Sequence, residues 1–281
     1  MVGLHKTDGN SQGRERAEVR DERSQTRAQV RKEPKSGENE RDIIMLIPPY
    51  LVNEQFDDRY FDVVNALDEA QQIYFRNNNL IERLNAAKEA GSPFVIGETG
   101  FGAGRVVVSL MEFLKESGLK DILIEYNSVE LYPISPERML QILDGFRERV
   151  GVEIDTLVEA YRGIDITKAG WHSIMIPRSF GSIRLKLWIG EALEMVNALE
   201  KPCDVWLLDG HSPKKNPSIW REELLMAIGG KTKPGGTCAT FTVSVAVRKA
   251  LTAAGFTLRL LPGCGVKKEV LHGVKDDSKQ G

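Results

Sequence analysis

The 281-residue sequence has only three cysteines, Cys203, Cys238 and Cys264. Their odd number and wide spacing exclude a disulfide framework and a cysteine-based zinc site. Buried, reduced thiols are expected instead. No apolar run approaches the ~18 residues of a membrane span. The N-terminal "MVGLHKTDGNSQGRER" has no apolar core of a secretory signal. A cytoplasmic chain is expected, with no metal and no membrane partner. Charge of one sign is also missing. The chain has 38 Lys and Arg against 40 Asp and Glu, a formal net charge of −2. No overall basic footprint therefore points to nucleic acid. Residues 1–41 contain no Phe, Trp or Tyr, and hold ten Lys and Arg against eight Asp and Glu. Such a segment buries too little surface to offset its ordering entropy, and a disordered charged tail is expected there.

What is present begins near Ile43. Residues 43–76 carry aromatics and short alternations that suggest small strands and turns. "NNNLIERLNAAKEAG" reads as a helix closed by Gly91. Strands and helices then alternate: "PFVIGET", a helix over 103–117, "DILIEYNSVE", a helix opening at Ser135-Pro136, and a short helix at 153–162. "WHSIMI" and "SIRLKLWIG" form a hairpin-like insertion, followed by a helix over 191–200. "CDVWLLDG", the helix "NPSIWREELLMAIGG", "GTCATF", a helix over 244–255 and two strands around Pro262-Gly263 complete the pattern. The alternation predicts an α/β fold with a mainly parallel sheet covered on both faces. The closing hairpin places one antiparallel strand in it. That combination fits the seven-stranded Rossmann-like fold of class I methyltransferases dependent on S-adenosylmethionine (SAM).

The densest motif is "FVIGETGFGAG", residues 94–104. A dinucleotide fingerprint needs G-x-G-x-x-G, and Arg105 or Val107 stands where its third Gly or Ala belongs. The spacing is E-x-G-x-G-x-G, the form of a SAM loop. Glu98, Thr99, Gly100, Phe101, Gly102 and Gly104 are therefore candidate cofactor contacts, with a tight turn lacking any ligand as the alternative. Glu130 ends the next strand, where a carboxylate accepts ribose hydroxyls. Gly190-Glu191 ends another, where an acid meets an adenine amino group, although Glu191 also suits a plain helix N-terminus. Asp209 ends the apolar strand before "GHSPKKNPSIW". A carboxylate there fixes the aim of a target nitrogen, and capping of the next helix is the alternative.

These stretches resemble the methyltransferase domain of the MnmC family, bifunctional tRNA enzymes that complete 5-methylaminomethyl-2-thiouridine at the wobble position. The resemblance runs in order through "EQFDDRYFDVVNALDEAQQIYF", "FVIGETGFGAG", "SVELYP", "LWIGEAL", "VWLLDGHSPKKNPSIW", "KPGGTCATFT" and "GCGVKKEVLHG", over about residues 47–273. It implies catalysis by Asp209 and cofactor roles for Glu98, Gly100, Gly102, Gly104, Glu130 and Glu191. His211, Lys214, Lys215 and Asn216 are candidate substrate contacts; the basic pairs Lys214-Lys215, Arg248-Lys249 and Lys267-Lys268 offer a place for tRNA phosphates, with plain solvated surface as the alternative. The departures fall on the substrate side. His211 stands where the family has Phe, Glu191 where it has Asp, and Ala66 where it has Gly. No second dinucleotide fingerprint is present, so no FAD is expected, and an oxidase half would be a separate chain. The expected domains are 42–91, an extension covering substrate and cofactor, 92–275, the methyltransferase domain, and a tail at 276–281. Two other readings remain open: a methyltransferase of a small amine, and an idle SAM-fold protein that binds RNA or a partner.

Overall fold

The computed structural model describes residues 52–53, 55, 58–59, 65–264 and 268–276. The charged tail expected at 1–41 lies outside them, as does 277–281. The two-residue strands β1 (Val52–Asn53) and β2 (Asp58–Arg59) pair antiparallel. The reading of residues 43–76 as small strands fails after Asn65. There α1 (Ala66–Ala70) runs directly into a π-helical turn, Gln71–Arg76. Ala66, Leu67, Ala70, Ile73 and Tyr74 recur at helical spacing, and all five are buried. Helix α2 (Leu80–Glu89) ends before Gly91, as the sequence suggests.

One sheet organises the rest. Its strands are β3 (Phe94–Glu98), β4 (Ile122–Glu130), β5 (Gly170–Arg178), β6 (Gly181–Ile189), β7 (Cys203–Leu207), β8 (Thr232–Thr240), β9 (Phe256–Pro262) and β10 (Glu269–Lys275). Their spatial order is β5-β6-β4-β3-β7-β8-β10-β9. The fold class is as expected, but the sheet has eight strands among the described residues rather than seven. The extra strand is β5, because the inserted hairpin stays in the sheet, with β5 and β6 paired from Gly170↔Ile189 to Arg178↔Gly181. Two strands, β5 and β10, run against the others, not one.

The connecting helices are α3 (Arg105–Ser117), α4 (Pro136–Leu143), α5 (Arg147–Tyr161), α6 (Ala192–Asn197), α7 (Glu222–Gly230) and α8 (Val245–Ala253). Ser135 caps α4 by accepting from the Arg138 N–H at 3.1 Å, with Pro136 at the first helical position. Helix α5 starts before residue 153, at Arg147, and is kinked at Val150, which has a non-helical φ of −132°; Val150, Ile154, Leu157 and Tyr161 are all buried. Alternating strand residues serve two cores. Ile96, Val205 and Leu207 pack with α1 to α5, while Val95, Trp206 and Leu208 pack with α6 to α8. Cys203 and Cys238 are buried, and burial pushes both thiols up, Cys238 to about 12. Cys264 is only half-buried, contrary to expectation.

The chain leaves β3 toward β4 and β6, then crosses back to place β7 on the other side of β3. The carboxyl ends of β3 and β7 therefore flank the point where the strand order reverses, the usual ligand crevice of an open α/β sheet.

Candidate functional site

A cleft of about 860 Å³, counted out to its open mouth, lies over these strand ends. Thr99, Gly100, Phe101, Gly102, Glu130, Gly190, Glu191, Asp209, His211 and Asn216 line it. Glu98, Gly104, Lys214 and Lys215 do not.

The glycine turn is held against the end of β7. The Thr99 hydroxyl donates to the Asp209 carbonyl at 2.7 Å. A Cβ on Gly100 would lie 3.2 Å from that same carbonyl oxygen and 3.3 Å from Gly210 Cα, so only glycine packs there without displacing backbone. Gly102 has φ +55°, and its N–H donates to Glu130 Oε2 at 2.8 Å. The Tyr132 N–H donates to Glu130 Oε1 at 2.8 Å. Burial raises the Glu130 carboxyl above its ordinary range although these bonds oppose the shift. Phe101 turns inward and stacks on Tyr161, with ring centroids 5.8 Å apart. Gly104 enters α3 with φ +75°.

Glu98 sits beneath this turn rather than on the cleft surface. It is buried, and burial pushes its carboxyl up to about 8, so it carries a proton at neutral pH. The Ser128 hydroxyl bonds Glu98 Oε2 at 2.6 Å. Glu98 Oε1 is buried and has no hydrogen-bond partner among the described residues.

Asp209 lies two residues past the end of β7, not on the strand. Its Oδ2 meets Arg105 Nη2 at 2.7 Å, and the Gly210 N–H donates to Oδ1 at 2.8 Å. The buried Tyr74 phenol is held neutral by burial and by the nearby Asp209 charge. Arg105 Nη1 also donates to the Ala66 carbonyl at 2.7 Å, which ties α1 to the site. Across the cleft, Glu191 accepts from Arg221 at 3.3 Å. His211 Nε2 lies 3.1 Å from Asn53 Nδ2, and the Trp220 indole N–H donates to the His211 carbonyl at 2.8 Å. Asn216 is buried, and its Oδ1 accepts from the Ser218 hydroxyl at 2.6 Å. Lys214 and Lys215 are exposed, outside the cleft.

Arg105, Arg221 and Asn53 were not singled out as site residues by motif. Arg105 stood in the sequence only as the residue that spoils a dinucleotide fingerprint. No group of three or more potential metal ligands occurs among the described residues, and no helix there is long and apolar enough to cross a membrane.

Known proteins resemble this chain in sequence and in fold. A family model described as S-adenosyl-L-methionine-dependent methyltransferase matches residues 157–276. The "tRNA 5-methylaminomethyl-2-thiouridine biosynthesis bifunctional protein MnmC" of Pseudomonas fluorescens is 37% identical over 218 residues, 78% of this chain and 32% of that protein. The protein of the same description from Caulobacter vibrioides is 33% identical over 77% of this chain and 35% of its own length. The chain thus spans about a third of the length of the curated relatives it matches. Among solved structures, MNMC2 from Aquifex aeolicus superposes with a TM-score of 0.60 at 21% identity, over 79% of this chain and 65% of that one, which shows a shared fold.

Proposed function

We propose, from the premise that this chain carries a SAM-dependent methyltransferase domain, that it methylates the aminomethyl nitrogen of 5-aminomethyl-uridine or its 2-thio form in the wobble position of tRNA. One observation carries the reading: a carboxylate, Asp209, stands at the cleft beside the glycine turn, with both oxygens already oriented by Arg105 and the Gly210 N–H. The description of the relatives as tRNA 5-methylaminomethyl-2-thiouridine enzymes supports the substrate class.

The residues fit the cofactor. The Gly100 and Gly102 turn leaves backbone bare at the cleft, and Glu130 keeps unused lone pairs after accepting two N–H groups. We assign Thr99, Gly100, Phe101, Gly102, Glu130, Gly190 and Glu191 to direct contact, and Glu98 and Gly104 to support of the turn from behind. When bound, SAM supplies an electrophilic methyl group on a positively charged sulfur. A neutral amine held in the cleft would present its nitrogen lone pair to that methyl group. Asp209 accepts an N–H of the amine, which fixes the direction of the lone pair, and then takes up the proton that the methylated nitrogen sheds. Most of the gain is orientation. His211 and Asn216 are placed to meet the base at the cleft mouth. Lys214 and Lys215, exposed just beyond, are placed to meet phosphates. The chemistry needs no flavin, and the substrate places the chain in the cytoplasm.

Purified protein, SAM and tRNA from a strain lacking the terminal methylation should yield the methylaminomethyl nucleoside. The reaction should weaken steeply with rising salt, because phosphate contacts release counterions. Reversing the charges of Lys214 and Lys215 together should lower tRNA affinity several-fold and leave SAM binding unchanged. If the nucleoside gains no methyl group while a free small amine does, the tRNA reading is wrong and the small-amine reading replaces it.

A further inference from the structure

We propose that Arg105 is a positioning residue that cancels the charge of Asp209, so that the cleft receives its target nitrogen as a neutral amine rather than as an ammonium. The inference rests on the amine-methylation reading above. A lone carboxylate in a recessed site favours the charged form of an amine beside it. That form has no lone pair and cannot attack a methyl group. The site has to hold the nitrogen with a carboxylate and yet not keep it protonated.

The geometry meets both demands. The Arg105–Asp209 pair is close, at 2.7 Å, and its side chains retain only 13% and 15% of their exposure. A carboxylate offers about four lone-pair directions. Arg105 and the Gly210 N–H engage two of them. Room is left for an incoming N–H, so the contact orients the amine without surrounding it with negative charge. The neighbouring groups preserve this balance. Glu98 from β3 is protonated at neutral pH, and the phenols of Tyr74, from the π turn, and Tyr126, from β4, are held neutral by burial. Glu69 of α1 adds a negative field from a half-buried position, and His211 lies across the cleft against Asn53. Arg105 is thus the one cation directly opposing Asp209 among these groups.

The test compares native protein with Arg105→Met, Arg105→Lys and the double variant Arg105→Met/Asp209→Asn. Two readouts separate charge compensation from simple support. The first needs no substrate and uses the relative affinity for SAM, whose sulfur is positive, and S-adenosylhomocysteine, whose sulfur is neutral, measured by calorimetry. In Arg105→Met the uncompensated carboxylate should shift preference toward SAM by about tenfold, consistent with one charge acting over several ångströms at protein dielectric. Arg105→Lys and the double variant should return the ratio to the native value. The second readout is the pH profile of kcat on tRNA carrying 5-aminomethyl-uridine, which reports groups in the bound complex. Its rising limb should move about one to two pH units upward in Arg105→Met, since the bound amine would lose its proton later. Arg105→Lys should restore the limb's position. An unchanged cofactor ratio overturns the proposal, as does a rate lowered equally at every pH. If native protein methylates no tRNA, the substrate reading has failed, and the cofactor ratio still decides the role of Arg105.

Discussion

Gly102→Val should abolish binding of SAM, with calorimetric affinity falling at least about a hundredfold, because a side chain would fill the space where backbone approaches ligand. The native φ of +55° also lies in the left-handed region, where a β-branched residue is strained. Relieving that strain would pull the 102 N–H away from Glu130 Oε2, so one substitution disturbs two of the assigned contacts. The fold should survive. A left-handed residue costs about 1–2 kcal/mol, small against the stability of a domain of this size. Circular dichroism and the melting temperature are the controls, and Gly102→Ala should fall between the native and valine proteins. Native-like affinity in a folded valine variant would remove the turn from the cofactor site.

Asp209→Asn should reduce turnover by about a thousandfold, far more than the roughly tenfold loss of SAM affinity expected from the uncompensated Arg105 charge. The amide keeps the shape but cannot take up the proton shed by the methylated nitrogen, and its NH2 end competes with Arg105 for position. A contact made mainly in the transition state lowers rate far more than ground-state binding. Asparagine is a better probe here than alanine. Truncation would strand the Arg105 guanidinium, and breaking one side of a buried pair typically costs about 3–5 kcal/mol. An alanine variant would therefore mix lost chemistry with lost stability. Single-turnover rates and SAM titrations on the same preparation separate the two effects. Normal turnover by Asp209→Asn would reduce the residue to a structural partner of Arg105.

The sequence made the strand-end carboxylates legible because their spacing is local. Glu98 precedes its glycines by two residues, Glu130 closes an apolar run, and Asp209 follows another. What each carboxylate faces is a tertiary matter. Nothing near Glu98 in the chain says that Ser128 and Tyr126 enclose it, and nothing near Asp209 points to Arg105, which lies 104 positions away. The turn through Tyr74 and Phe75 is helical although aromatic residues favour strands intrinsically, because burial in the core shared with α3 decides their conformation. The eighth strand was visible as a hairpin, but whether a hairpin projects from a sheet or extends it depends on pairing between β6 and β4, which local pattern does not encode.

The position of β10 has a consequence during biosynthesis. This strand is the last in sequence among the described residues, yet it lies inside the sheet, pairing with β8 on one side and β9 on the other. A polypeptide emerging from the ribosome therefore holds β8 with one bare edge, directly beside the strand that leads to Asp209, until residue 275 is free of the exit tunnel. Bare edges recruit other strands, so the interval is one of exposure to aggregation and to chaperone capture. Ribosome-arrested chains of increasing length should stay protease-sensitive through β9 and become resistant in a single step once β10 has emerged. Stepwise protection during synthesis of β7 to β9 would show instead that the sheet closes without its last strand.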